Sequence, residues 1–261
     1  TPALVDDTRM AMGSALQVAV WTSDEPAARR ALDAVFAEFD RLENVLSVWR
    51  ATSDVQRLNA AAGRGAVAVG PDMLAVLDAA QEASRETRGA FDITFGALSD
   101  IWRFDHDQDD RVPSPDEIAA RLRLIDHAAV VIDRAAGTAR ITRPGVKVHL
   151  GGIGKGYAVD RAAALLRDAG FNDFALQAGG DLYTSGRPGA RPWRVGLNDP
   201  RGAGGESFAT IELRNETFST SGDYERFFLK NGVRYHHILD PRTGQPARLC
   251  RSVTIVASSA L

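Results

Sequence analysis

His149-Leu150-Gly151-Gly152-Ile153-Gly154-Lys155-Gly156-Tyr157-Ala158-Val159-Asp160 is the stretch around which the chain is organised. Its four glycines free the backbone to wrap closely around a bound group, and they permit positive φ. A helical pattern over residues 157–169 follows, closed by Gly170, and its N-terminus supplies the positive end of a dipole. Lys155 adds a cation in the turn. Two readings stand side by side: a phosphate cradle, or a structural strand-to-helix turn. The named phosphate motifs do not fit. A P-loop needs glycine where His149 stands and Ser or Thr after Lys155, and the glycines fall as GGxGxG instead of GxGxxG.

Outward from this stretch, the N-terminal side reads as helices. Residues 1–8 look like the tail of a linker, leaving room for a removed targeting segment, and residues 12–21 read as a strand. Asp24 caps a long helix with Ala28, Leu32, Val35, Phe39, Leu42 and Leu46 on one face. Leu46-Ser47-Val48-Trp49-Arg50 is a short strand-like break, and Ser53 caps a small helix ending near Asn59. Trp49 either covers the edge of the core or offers an aromatic face to a planar ligand. Pro71 opens a helix over residues 72–88, stopped by Gly89. Asp92, wedged between Phe91 and Ile93, is either a helix cap or a ligand contact. Residues 106–111 form a charged surface loop, and residues 115–124 a short helix. A hairpin over residues 129–132 and 138–142 leads back to the glycine stretch.

The C-terminal side is β-rich, with strands at residues 174–177, 193–197, 208–213, 224–229, 233–239 and 252–257. Turn-forming groups separate them, among them Ala178-Gly179-Gly180-Asp181, Thr220-Ser221-Gly222-Asp223 and Asp240-Pro241-Arg242-Thr243-Gly244. In a strand, His237 and Leu239 share one face and His236 the other. This order of elements gives an α+β class.

The totals exclude several functions. A net charge of −3 without a basic stripe argues against nucleic acid as a partner. Apolar runs fall far short of a membrane span. One cysteine, Cys250, allows neither an internal disulfide nor a cysteine-based metal cluster.

Taken in order, these stretches resemble the ApbE family, flavin transferases that move FMN from FAD onto a protein threonine. The resemblance runs from Met12 to the last residue. It is carried by Met12-Gly13-Ser14, the Leu46–Trp49 segment with Ser53 and Asn59, and Gly89-Ala90-Phe91-Asp92-Ile93-Thr94. The glycine stretch, Ala178-Gly179-Gly180-Asp181, Thr220-Ser221-Gly222-Asp223-Tyr224 and His237-Ile238-Leu239-Asp240-Pro241-Arg242-Thr243-Gly244 complete it.

The resemblance implies a single ApbE-like domain over residues 1–261, with a FAD cleft between lobes. It implies FAD contacts at Met12, Trp49, Ala90, Phe91, Asp92, His149, Lys155 and Leu239. Gly152 falls where a backbone carbonyl ligates Mg²⁺, and His237 where a histidine activates the acceptor hydroxyl. The family carries aspartate where this chain has His149, and tyrosine where it has Trp49. Its Ala-Asp-x-x-x-Thr metal segment is expected a few residues past Leu261, outside this sequence. The implied activity is Mg²⁺-dependent FAD:protein FMN transfer with release of AMP. Hydrolysis of FAD to FMN and AMP, or FAD binding without turnover, are the alternatives. The implied acceptor is a flavoprotein bearing a target threonine, of the redox-pump-subunit type. The implied location is periplasmic, or anchored to the inner membrane through a removed N-terminal segment.

Overall fold

A computed structural model describes residues 1–202 and 206–261. In chain order its strands and helices begin β1 (Ala3–Ala11), β2 (Ser14–Thr22), α1 (Glu25–Leu46), α2 (Asp54–Ala60), β3 (Val67–Ala68), α3 (Pro71–Glu86) and α4 (Pro115–Leu122). There follow β4 (Val130–Asp133), β5 (Thr138–Ile141), α5 (Gly154–Asp168), β6 (Phe174–Ala178), β7 (Asp181–Ser185), β8 (Trp193–Asn198) and β9 (Ser207–Leu213). The last are β10 (Glu216–Gly222), β11 (Phe227–Lys230), β12 (Val233–His236), β13 (Leu239–Asp240), β14 (Gln245–Pro246) and β15 (Ser252–Ala257). The α+β class holds. The chain divides into two compact units.

The first unit comprises Thr1–Glu43, Gly154–Ser221 and Ser252–Leu261. Its sheet runs in the order β1-β2-β6-β7-β10-β15. Alternation in β2 buries Leu16, Val18 and Val20, all at most 1% exposed, while Ala15 and Gln17 stay outside. Helix α5 packs on β6 and β7, and the β8–β9 hairpin lays Val195, Leu197 and Ile211 on Leu182, Leu213 and Phe218. Asp24 caps α1 as its sequence demands, accepting from the Ala27 N–H at 3.0 Å.

Residues 3–8, expected as linker, are instead part of β1, paired along its whole length with β2. Val5 and Ala11 are its buried positions, and this sparse apolar content explains why the segment reads as polar linker. Helix α5 starts at Gly154, earlier than the expected residue 157, so Lys155 and Gly156 lie in its first turn. None of the four glycines of the organising stretch takes positive φ. Gly156 is there for close approach: a Cβ would sit 2.2 Å from the Ala260 carbonyl oxygen. That C-terminal segment is held by Asp160, which accepts from the N–H groups of Ala260 and Leu261, both at 2.9 Å.

The second unit comprises Asn44–Ile153 and Gly222–Arg251. Ser53 caps α2 and accepts from the Gln56 N–H, and Ser114 with Glu117 forms a capping box on α4. The β3-β5-β4 sheet carries the expected hairpin. Leu98, Ile101, Trp102, Phe104, Ile118 and Phe228 form a core cluster, against which Tyr235 and Leu239 pack. The Trp102 indole N–H donates to the Gly244 carbonyl at 2.8 Å, tying the 240–244 turn to that core.

Three expectations are corrected by this geometry. Residues 47–50 form a turn instead of a strand-like break. Thr220, Ser221 and Gly222 continue β10 instead of making a turn. The expected strand over residues 233–239 stops at His236, so His237 and Leu239 do not share a strand face; the chain bends between them before β13. The bend lets the Ile238 carbonyl accept from the Ala247 N–H at 2.9 Å.

Candidate active site

In the second unit a concavity of about 280 Å³ is lined by Trp49, Asn59, Asp100, Asp105, Lys147 and His149, among others. Its floor is built by non-local hydrogen bonds. Asn59 Nδ2 donates to the Val148 carbonyl at 2.9 Å, and the Val148 N–H donates to Asn59 Oδ1 at 2.7 Å. The His149 N–H donates to the Ile93 carbonyl at 2.8 Å. Lys147 Nζ lies 2.6 Å from Asp100 Oδ1.

On the rim, the Trp49 indole is 52% exposed and meets the His106 ring edge-on at 4.5 Å. His149 Nδ1 accepts from the Gly151 N–H at 3.0 Å, which puts its ring proton on Nε2. Burial pushes His149 below the ordinary histidine range, so it is a neutral donor. A Cβ at Gly151 would lie 2.7 Å from His149 Cε1, the reason glycine stands there.

Asp92 is 6% exposed and fully engaged. Oδ1 accepts from Thr94 N–H at 2.8 Å and from Thr94 Oγ1–H at 2.6 Å, while Oδ2 accepts from His127 N–H at 3.0 Å. Its carboxylate ties the Gly89–Thr94 segment to the turn before β4. Phe91 is half-buried and Ala90 exposed; a Cβ on Gly152 would touch the Phe91 ring at 3.4 Å. Gly152 itself is exposed. Leu239 is half-buried against the core cluster.

His237 follows β12, and its backbone N–H donates to the Arg226 carbonyl at 3.1 Å. Its Nδ1 lies 3.3 Å from the same oxygen. A carbonyl only accepts, so Nδ1 carries the proton and Nε2 holds the lone pair. Burial, with smaller contributions from Arg226 and His236, pushes the His237 pKa down to about 4. Asp105 and Arg226, themselves ion-paired, act on both His149 and His237.

In the first unit, Met12 and Gly13 form the two-residue turn between β1 and β2, at φ 47° and 72°. Positive φ is strained for methionine, and the Met12 N–H donates to Glu43 Oε2 at 3.2 Å. A Cβ on Gly179 would lie 3.2 Å from Ser14 Oγ and 3.3 Å from Lys155 Nζ, so these two converge on the β6–β7 turn. Among the described residues, buried Ser14 Oγ has no hydrogen-bond partner. Burial raises the Asp181 carboxyl, opposed by Ser219 and by the Lys155 ammonium. The Ala178–Asp181 and Thr220 motifs meet here: the Thr220 N–H donates to the Gly180 carbonyl at 2.9 Å.

Residues 12–261 match the model of the ApbE family. The chain belongs to the ApbE family. Among ApbE relatives, the FAD:protein FMN transferase of Klebsiella pneumoniae is 34% identical over 96% of this chain and 76% of its own length. That of Rhodobacter capsulatus is 32% identical over 98% of this chain, which spans 49% of that relative. Of solved ApbE structures, the protein of Thermotoga maritima superposes at a TM-score of 0.91, with 35% identity over 99% of this chain and 83% of its own. The flavinyl transferase ApbE of Pseudomonas stutzeri, in its apo form, superposes at 0.86 with 30% identity, over 99% of this chain and 81% of its own.

Of the residues expected from the ApbE resemblance, Trp49 and His149 line one concavity, and His237 shares Asp105 and Arg226 with His149. Asp92 and Leu239 turn their side chains to structural partners. Met12 and Lys155 belong to the first unit, as the other eight belong to the second. Sequence reasoning gave no part to Asp105, Arg226, Asp100 or Lys147. Asp105 and Arg226 are 121 positions apart, and nothing local marks them as partners.

Proposed function

We propose that this chain is a FAD:protein FMN transferase. The observation that carries the reading is His237: a half-buried imidazole whose Nδ1–H is engaged by the Arg226 carbonyl, which leaves the Nε2 lone pair to serve as a base. In the proposed reaction Nε2 takes the proton of an acceptor threonine hydroxyl. The threonine oxygen bonds the FMN-side phosphorus of FAD, the bond from that phosphorus to the bridging oxygen breaks, and AMP leaves. The product is an FMN-threonine phosphoester. Trp49 would stack on the flavin and His149 Nε2–H would donate to FAD, with Ala90 and Phe91 lining the same site. Met12 and Lys155 would supply further FAD contacts, Lys155 as a cation.

Mg²⁺ enters this reading through the resemblance alone. Magnesium takes about six oxygen ligands, and Gly152, an exposed residue, would offer one carbonyl. Among the described residues no group of three or more His, Cys, Asp or Glu is arranged to hold a metal. These residues do not fit a Mg²⁺ site by themselves.

The acceptor we propose is a flavoprotein with a target threonine, of the redox-pump-subunit type, met at the periplasmic face. No helix among the described residues is long and apolar enough to cross a membrane.

The test is incubation with FAD, Mg²⁺ and an acceptor domain bearing a flavinylation threonine, followed by mass spectrometry. An acceptor heavier by FMN less one water, together with free AMP, is the expected result. AMP and free FMN beside an unmodified acceptor would replace transfer by hydrolysis. Absence of AMP would leave FAD binding without turnover.

A further inference from the structure

The hairpin β11–β12 sets one relationship that the proposed base depends on. Asn231 and Gly232 join its strands at φ 52° and 75°, the two positive values of a type I′ turn. A two-residue turn fixes register, and here Phe227 pairs with His236. The next residues out are therefore Arg226 and His237, and both hydrogen bonds from His237 converge on the Arg226 carbonyl.

Arg226 is in turn held from the loop after Phe104. Its guanidinium is bonded to Asp105, and both side chains are about one-third exposed, 33% and 28%. One residue earlier, Phe104 stacks on Phe228 with ring centroids 5.7 Å apart. The 104–105 segment thus grips the hairpin twice, once by an apolar stack and once by an ion pair. We infer that the Asp105–Arg226 ion pair is a positioning device for His237, holding the Arg226 carbonyl where it keeps the ring proton on Nδ1 and leaves Nε2 available to the acceptor hydroxyl.

The pair also balances charge. The titratable or charged groups acting on His237 are Arg226 and His236, which lower its pKa, and Asp105, which raises it. Neutralising Asp105 removes the contribution that raises the His237 pKa, and removing the guanidinium takes away one that lowers it. The two changes push His237 in opposite directions, which loss of packing alone does not do.

This inference rests on His237 as the base, and its test separates the two. The measurements are the ¹⁵N shifts of the His237 ring nitrogens through a pH titration of the whole chain, with kcat and KM for FMN transfer. Asp105→Asn is expected to lower the His237 pKa, mix its two tautomers and reduce kcat at least tenfold. Arg226→Met is expected to raise the pKa and likewise mix the tautomers, and it provides the readout if Asp105→Asn does not fold. Arg226→Lys, which keeps the charge, is expected to recover most of kcat. A single unchanged Nδ1–H tautomer in both neutralising variants overturns the proposal, as does a loss confined to KM. If the unaltered protein transfers no FMN, the functional reading fails by itself, and the tautomer measurement still decides the positioning.

Discussion

Asn59 holds Val148 with both ends of its amide, donating to the carbonyl at 2.9 Å and accepting from the N–H at 2.7 Å. A side chain here does what a neighbouring β-strand would do, and it fixes the residue next to His149. Asn59→Ala should cost about 2 kcal/mol, since two part-buried backbone groups lose partners worth about 1 kcal/mol each. Urea unfolding measures this, and FAD titration of the folded variant should show weaker binding. Unchanged stability and affinity would remove Asn59 from the site's support.

Met12 sits at φ 47°, where a side chain larger than that of Asn or Asp is strained by about 1 kcal/mol. Met12→Asn should therefore raise the midpoint of thermal unfolding while weakening FAD binding. A variant that is more stable and binds FAD equally well would show that the methionine side chain makes no flavin contact.

Asp92 satisfies three donors from Thr94 and His127. Asp92→Ala orphans all three, and with unmet buried groups costing about 1–3 kcal/mol apiece, the loss should exceed 3 kcal/mol or so. Chemical denaturation with and without saturating FAD checks it. A large stability loss that FAD fails to offset separates this structural part from direct ligand contact.

Trp49 lies exposed on the rim of the concavity. Its replacement by alanine should weaken FAD binding by about 1–3 kcal/mol, the scale of aromatic stacking on a base, with little change in stability. Trp49→Tyr should keep most of the affinity. Equal dissociation constants for all three proteins would end the stacking role.

His149, His236 and His237 are each pushed below the ordinary histidine range, chiefly by burial, His237 to about 4. The unfolded chain takes up protons near pH 6.5 where the folded chain does not. Stability is therefore full above about pH 6.5 and declines as the pH falls toward 4. Activity has the same sign, because the base must be neutral. The acid limb of FMN transfer should lie well below pH 6.5, and His237→Ala should abolish transfer while FAD binding survives. A limb at pH 6.5 would mean that a different group, or a solvated His237, limits the reaction.

By itself the sequence determined what acts over a few residues. The caps at Asp24 and Ser53 reach only to the next turn of helix, and the apolar face of α1 repeats with the helical period, so both were legible. The hairpin over β4 and β5 was legible for the same reason. So was the order of motifs that marks an ApbE chain. Residues 3–8 were not, because a strand at a sheet's edge needs few apolar residues when its neighbour carries the core. Nor was the role of the organising glycines: close approach by Ala260 and by His149 replaces positive φ, and proximity of that kind belongs to the folded backbone. Only the folded chain settles that Asn59 braces Val148, that Asp92 braces the His127 N–H, and that Asp105 reaches Arg226. These contacts join segments far apart in the chain, and hydrogen-bonding chemistry that does not choose its partner by sequence distance is settled only when the core has brought the segments together.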